Sequence, residues 1–222
     1  MKELTIAELF DLSHTCAKPL LSSVTYPWEA LPKIQDFILE LGKNLPPDEF
    51  DQPTEGVWIS KSATVAPSAS VNAPCIICAG AEIRQCAFIR GSAIVGEGAV
   101  VGNSCELKNC ILFDKVQVPH FNYVGDSILG YKSHMGAGAI TSNVKSDKTL
   151  VSIAFDNRKI PTELKKVGAI LGDEVEIGCN SVLNPGTVIG KKTNVYPLSS
   201  VRGFVPPFSI LKTPDCVVTK NQ

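Results

Sequence analysis

Arg90 and Lys108 stand 18 residues apart, and each follows an aliphatic residue, Ile89 and Leu107. Those aliphatics belong to a six-residue beat. Three hexads make one triangular coil of a parallel β-helix, so residues 18 apart lie in register on adjacent coils. Arg90 and Lys108 then point outward on one side, about 4.8 Å apart. Like charges placed opposite each other destabilise a sheet, unless an anion sits between them. No acid is expected at their height, and Asn72, one coil below Arg90, is neutral. The pair therefore reads as an anion site: Arg supplies a bidentate fork and Lys a point charge. His120 is a candidate general base, because imidazole accepts a proton near neutral pH. Tyr123, three residues on, either hydrogen-bonds a ligand or packs with its hydroxyl wet. The run Met135-Gly-Ala-Gly-Ala-Ile-Thr-Ser-Asn143 lacks the strand-to-helix setting and Gly-Lys-Thr ending of a nucleotide loop. Its small residues suit close approach of a ligand or another chain, with Asn143 at the mouth of a basic stretch.

The scaffold for these residues is legible in the beat. Aliphatics recur at Ile59, Val65, Val71, Ile77, Ile83, Ile89, Val95, Val101 and Leu107, and again at Leu171, Ile177, Leu183, Ile189, Val195 and Val201. The fold expected is mainly β: a left-handed parallel β-helix over residues 57–205. Phe113 is expected to continue the inward row, and the frame to slip at Pro119. Residues 144–166 break the period as a long basic loop, and long excursions from a regular scaffold are often functional. Residues 1–56 read as a helical capping segment and linker. Thr5 to Glu8 has the form of a capping box, and Ile34, Phe37, Ile38 and Leu41 recur at helical spacing. The first 45 residues of this segment are expected to cover the open first coil, whose free edge would otherwise invite pairing. Residues 206–222 read as an irregular, proline-marked tail.

Composition narrows the function classes. The 222 residues carry a net charge of −1, which argues against nucleic acid as a partner. No apolar run approaches the length of a membrane span, and the N-terminus shows no cleavable signal, so a cytoplasmic location is expected. Disulfides are disfavoured there. The eight cysteines read as small apolar filler, with Cys75 and Cys105 in the inward slot that Ala fills elsewhere. No metal site is assigned.

Arg90-Gly-Ser-Ala, Val101-Gly-Asn-Ser-Cys-Glu-Leu-Lys108, His120-Phe-Asn-Tyr-Val-Gly-Asp126, Gly136-Ala-Gly-Ala-Ile-Thr-Ser-Asn143 and Val167-Gly-Ala-Ile-Leu-Gly-Asp173 occur in one order. Together they resemble the left-handed β-helix acetyltransferase domain of the bifunctional glucosamine-1-phosphate acetyltransferase / N-acetylglucosamine-1-phosphate uridyltransferase family, especially its archaeal type. The resemblance spans roughly residues 57–205. It implies that His120 is the base acting on a sugar amine. Arg90, Lys108 and Tyr123 would bind an amino-sugar 1-phosphate, together with Lys148 of the basic loop. It also implies acetyl-CoA as co-substrate, contacted by Asn143, and a homotrimer with the cofactor between neighbouring prisms. His134 stands where related proteins have a substrate-binding Asn, Val144 replaces an aromatic, and Cys179 stands in place of a cofactor-contacting Ser. The nucleotide-binding half of the family has no counterpart in this sequence, so uridyl transfer is not expected.

A second reading is a non-catalytic trimer that binds a sugar phosphate or nucleotide sugar beside a separate nucleotidyltransferase. A zinc enzyme of the β-helical carbonic anhydrase type needs three gathered histidines. Only His120 and His134 lie in the repeats, with His14 outside.

Overall fold

The computed structural model describes residues 1–220 as a β-solenoid that fits a left-handed β-helix, preceded by short helices. Its three faces are parallel ladders. The first face stacks Val57–Ser60, Cys75–Ile77, Ala93–Val95, the second halves of Glu106–Leu112 and Tyr123–Leu129, Ala169–Leu171, Thr187–Ile189 and Phe204–Val205. The second face runs from Thr64–Val65 through Val100–Asn103, Gln117–His120 and His134–Met135 to Ser209–Thr213. The third runs from Ser70–Val71 through Phe88–Ile89, the first halves of Glu106–Leu112 and Tyr123–Leu129, and Ile140–Thr141 to Ser200–Val201. The beat residues Ile77, Ile83, Ile89, Val95, Val101 and Leu107 fill the interior. Among the described residues no helix is long and apolar enough to cross a membrane.

On the first face the residue before each beat position is also apolar. Ile76, Ile94, Ile111, Ile128, Ile170 and Val188 form a second, outward stripe, and all are fully buried. Their cover is the N-terminal segment. It contains α1 (Ile6–Leu9), α2 (Lys18–Ser22), the 3-10 turns Pro27–Lys33 and α3 (Ile34–Gly42). The segment lies along the flank of the prism and does not cap its open end, contrary to the reading from sequence. Phe10 packs on Phe113 with ring centroids 5.0 Å apart, and His14 stacks on Tyr131 at 3.6 Å. The Asp11 N–H donates to the Asp173 carboxylate at 2.7 Å. The open first coil is instead closed by Phe50–Thr54, which pairs antiparallel with Val57–Ser60. The capping box expected at Thr5 is also absent. The Thr5 hydroxyl donates back to the Lys2 carbonyl, and Glu8 pairs with Lys2. Glu29 caps instead, accepting from the Thr25 and Tyr26 N–H groups.

The frame slips earlier than Pro119. Leu107 pairs with Ile89, 18 residues back, but Cys110 pairs with Ala93, 17 back. One residue is missing at the corner Lys108–Asn109, and Pro119 and Val118 merely inherit the shift. Leu112 therefore takes the inward position, and Phe113 turns outward under Phe10.

The excursion at 144–166 is a folded hairpin. Ser152–Phe155 pairs with Arg158–Pro161, and Val151, Ile153, Phe155 and Ile160 are buried. Phe155 packs on Phe204 at 5.2 Å, and the hairpin lies against Thr187–Ile189. It covers the last rungs of the first face, beside the start of the N-terminal segment, where Glu3 borders the same groove as Phe155 and Phe204. The strands also continue past Val205. Ser209–Thr213 adds a rung beside Asn194–Val195 and folds into a hairpin with Cys216–Thr219.

Candidate functional site

The third face carries the polar constellation. Side chains alternate along a strand, so Glu106 and Lys108 share its outward side, with Tyr123 and Gly125 on the next rung. Arg90 lies in register with Lys108, as the beat requires. The cations are not unopposed, however. Arg90 Nη1 lies 2.7 Å from Glu106 Oε1, and Lys108 Nζ lies 3.4 Å from Asp126 Oδ2. The expectation that no acid shares their height is corrected by these two carboxylates. The longer Glu106 side chain crosses one rung, and Asp126 reaches back across the corner. Glu106 holds the Arg90 guanidinium above its ordinary pKa, fixing it as a cation.

Asp126 is the hub. It is nearly buried and accepts from Asn109 Nδ2 at 2.9 Å and Asn143 Nδ2 at 2.5 Å. Ser92, Asn109, Asp126 and Asn143 occupy one corner on four successive coils; the last three each follow an outward residue of the third face, and Ser92 follows the extra corner residue Gly91. This ladder spaces the charges above it. Asn143 Nδ2 also reaches the Tyr123 hydroxyl at 3.2 Å. Burial, followed by the nearby Asp126 charge, raises the Tyr123 pKa, so its hydroxyl stays protonated. The Tyr123 ring folds over Gly125, where an added Cβ would stand 2.4 Å from the tyrosine oxygen. Below, Thr141 takes an inward position that is aliphatic on neighbouring rungs. Its hydroxyl accepts the Gly125 N–H at 2.9 Å and is fully buried. This bond ties the backbone of Tyr123–Gly125 to the rung of Ile140–Thr141, the last before the excursion.

His120 stands exposed at the opposite end of the same strand turn. Its backbone is pinned from beneath. The His120 N–H donates to Asn122 Oδ1 at 3.1 Å, and Asn122 Nδ2 donates to the carbonyls of Gly136 and Ala139. Asn122 is buried and Phe121 has φ of 54°, so the corner throws His120 and Phe121 outward together. Ala137 and then Cys179 follow His120 in its column on the next two coils. The column is narrow-sided and open to solvent, and Cys179 is exposed.

The structure thus gathers Arg90, Lys108, Tyr123 and Asn143 and aligns His120 with Cys179. Asn143 belongs to the polar cluster and not to the Cys179 column. His134 lies elsewhere on the second face, with Nδ1 2.8 Å from Glu176 Oε2. Lys148 sits on an exposed turn of the excursion, where Lys145 is engaged by Asp147. Glu106, Asn109, Asp126 and Thr141 were missed from sequence. Thr141 left one signal there, a polar residue on the inward beat. His14, His120 and His134 do not converge, and among the described residues no group of three metal-ligating side chains forms.

Comparison with known proteins agrees with the resemblance read from sequence. Residues 71–197 match the family described as the GMPPB C-terminal domain. The bifunctional protein GlmU of Methanococcus maripaludis is 31% identical over 137 residues, covering 61% of this chain and 33% of that protein. The bifunctional sugar-1-phosphate nucleotidylyltransferase/acetyltransferase of Sulfurisphaera tokodaii is 32% identical over 96 residues, covering 43% of this chain and 24% of that protein. The chain therefore spans a quarter to a third of the length of these relatives. The solved polySia specific acetyltransferase NeuO superposes with a TM-score of 0.48 at 12% identity, over 76% of this chain and 88% of that one. With more than half of its residues matched, the chain belongs to the family of the GMPPB C-terminal domain.

Proposed function

We propose that this protein is an acetyl-CoA-dependent N-acetyltransferase acting on an amino sugar with a phosphate on its C1, of which glucosamine-1-phosphate is the simplest. The observation that carries this reading is the arrangement along one strand turn. His120 stands at one end, Tyr123 and Glu106 in the middle, and the Arg90/Lys108 pair at the other. A phosphorylated amino sugar laid along it has its phosphate on the cations and its amine toward His120. A protonated amine has no lone pair, so a base must unmask it. His120 does so, a role worth about 10²–10⁴-fold. Acetyl-CoA supplies the thioester carbon that the amine attacks, forming the amide and releasing the thiol of CoA. The column of His120, Ala137 and Cys179 is where the co-substrate would lie, because Ala137 leaves room beside the base. Tyr123, held by Asn143 and seated on Gly125, orients the sugar. Family resemblance supports a homotrimer with this column at the subunit boundary, and a cytoplasmic location.

The test is acetyl transfer to a panel of amino-sugar phosphates, read as product mass. Acetylated product from wild type and its loss in His120→Ala are expected. Unchanged product formation in His120→Ala removes the general-base assignment. No product and no acetyl-CoA binding would favour the sugar-phosphate-binding trimer instead.

A further inference from the structure

The polar cluster continues past its two cations. Beyond Arg90 and Lys108, on the side away from His120, lies a cleft of about 340 Å³. Its walls are Arg90, Lys108, Ser92, Asn109 and the stacked corners Ala73–Pro74 and Gly91, closed by Gln35. Gln35 is the wall residue that does not come from the prism: it stands in the first turn of α3. The floor is tight. Gly91 has φ of 111°, and a Cβ there would meet the Ala73 carbonyl oxygen at 2.4 Å.

Two features separate this cleft from a simple phosphate pocket. The first is charge. Arg90 is opposed by Glu106 and Lys108 by Asp126, so the cluster is neutral overall. A phosphate monoester concentrates about −1.5 to −2 charges on one group at neutral pH. A neutral cluster with two separated cations suits phosphates carrying about one charge each, as in a diphosphate. The second is unused hydrogen-bonding capacity. Asn109, Asp126 and Asn143 bond to one another along their ladder. Among the described residues, the Ser92 hydroxyl at the end of that ladder and the Gln35 amide engage no side-chain partner, and both border the cleft. A hydroxyl and an amide offer both donors and acceptors, matching ribose and base edges better than another phosphate.

We propose that this cleft is a nucleoside subsite. The acceptor is then a nucleoside-diphosphate amino sugar, with its diphosphate on Arg90 and Lys108 and its nucleoside held by Gln35 and Ser92. The sugar end of this assignment rests on the acetyltransferase reading; the nucleoside end does not. The N-terminal segment becomes a wall of the binding site as well as a cover for the first face.

Calorimetry with uridine diphosphate and guanosine diphosphate, against inorganic phosphate and glucosamine-1-phosphate, tests it on the full chain. At least one diphosphate is expected to bind more than about tenfold tighter than either phosphate. Gln35→Ala is expected to weaken that binding about tenfold, the worth of one well-placed hydrogen bond. Gln35→Glu, which sets a negative charge near the diphosphate, weakens it further. Gln35 is exposed, and unchanged melting temperatures establish that both variants are folded. Equal affinity for phosphate and both diphosphates overturns the subsite, as does diphosphate binding indifferent to Gln35. In turnover, Gln35→Ala should raise KM for the nucleotide-linked acceptor and leave kcat unchanged. Diphosphate binding that depends on Gln35, with no acetylation of any acceptor, leaves the subsite standing and removes the acetyltransferase. Acetylation of the 1-phosphate with no diphosphate affinity does the reverse.

Discussion

The first and third faces are built from the same backbone rungs, yet one is apolar and covered and the other carries an exposed polar row. On the first face the inner rungs read small-aliphatic-aliphatic, as in Cys75-Ile76-Ile77, Ala93-Ile94-Val95 and Ala169-Ile170-Leu171, with Trp58 and Phe204 in the middle slot at the two ends. On the rungs of the third face that carry the cluster, the residues flanking the beat are polar or aromatic except for one glycine: Phe88 and Arg90, Glu106 and Lys108, Tyr123 and Gly125. A face with two apolar rows must be covered, and the N-terminal segment and the 152–161 hairpin divide that task. A face with one apolar row fills the core and leaves its outward row free. The difference shows that the period builds the prism, while the residue beside the beat decides whether a face is covered by the chain itself or left free.

The two faces should therefore respond differently to substitution. The largest effect is expected from His120→Ala. It should lower acetyl transfer about 10²–10⁴-fold and leave the melting temperature unchanged, since His120 is exposed. A comparable fall in stability would mean that the corner, not the imidazole, was lost. Next comes the covered face. Ile111→Ala should cost about 2–5 kcal/mol, lowering the melting temperature by about 4–20 °C for a chain of this size. Turnover measured well below that temperature should be retained. Loss of turnover in the fully folded variant would break the division between the faces. Gly125→Ala should unseat the Tyr123 ring, because the added carbon would meet its hydroxyl at 2.4 Å. The expected result is a rise in KM of about tenfold with little change in stability; an unchanged KM would remove Tyr123 from substrate contact. The smallest effect concerns cysteines. Burial pushes the Cys75 thiol up to about 12 and the Cys110 thiol higher still. Alkylation of the native protein at pH 8 should mark the exposed Cys86 and Cys179 and spare these two, as read by peptide mass.

The inward rows, the alignment of Arg90 with Lys108 and the existence of helices before the prism were legible because each depends on local period. The cover on the first face was less so, although its signal is present as an extra apolar residue on every rung. The hairpin at 152–161 escaped because a broken period resembles a loop whether or not the segment packs. Asp126 escaped because its partners Lys108, Asn109 and Asn143 come from two other rungs, and one of those rungs is a residue short.

By itself, then, the sequence determined a prism of hexads, two cations in register and a histidine at a corner. Those features follow from repeat length, which a chain expresses locally. The tertiary structure alone decided that Glu106 and Asp126 oppose the cations, that the N-terminal segment lies along a flank, and that Gln35 reaches the cleft beyond Arg90. Those outcomes depend on how far side chains reach between rungs and on which apolar surface is left to bury, quantities set only when distant segments meet.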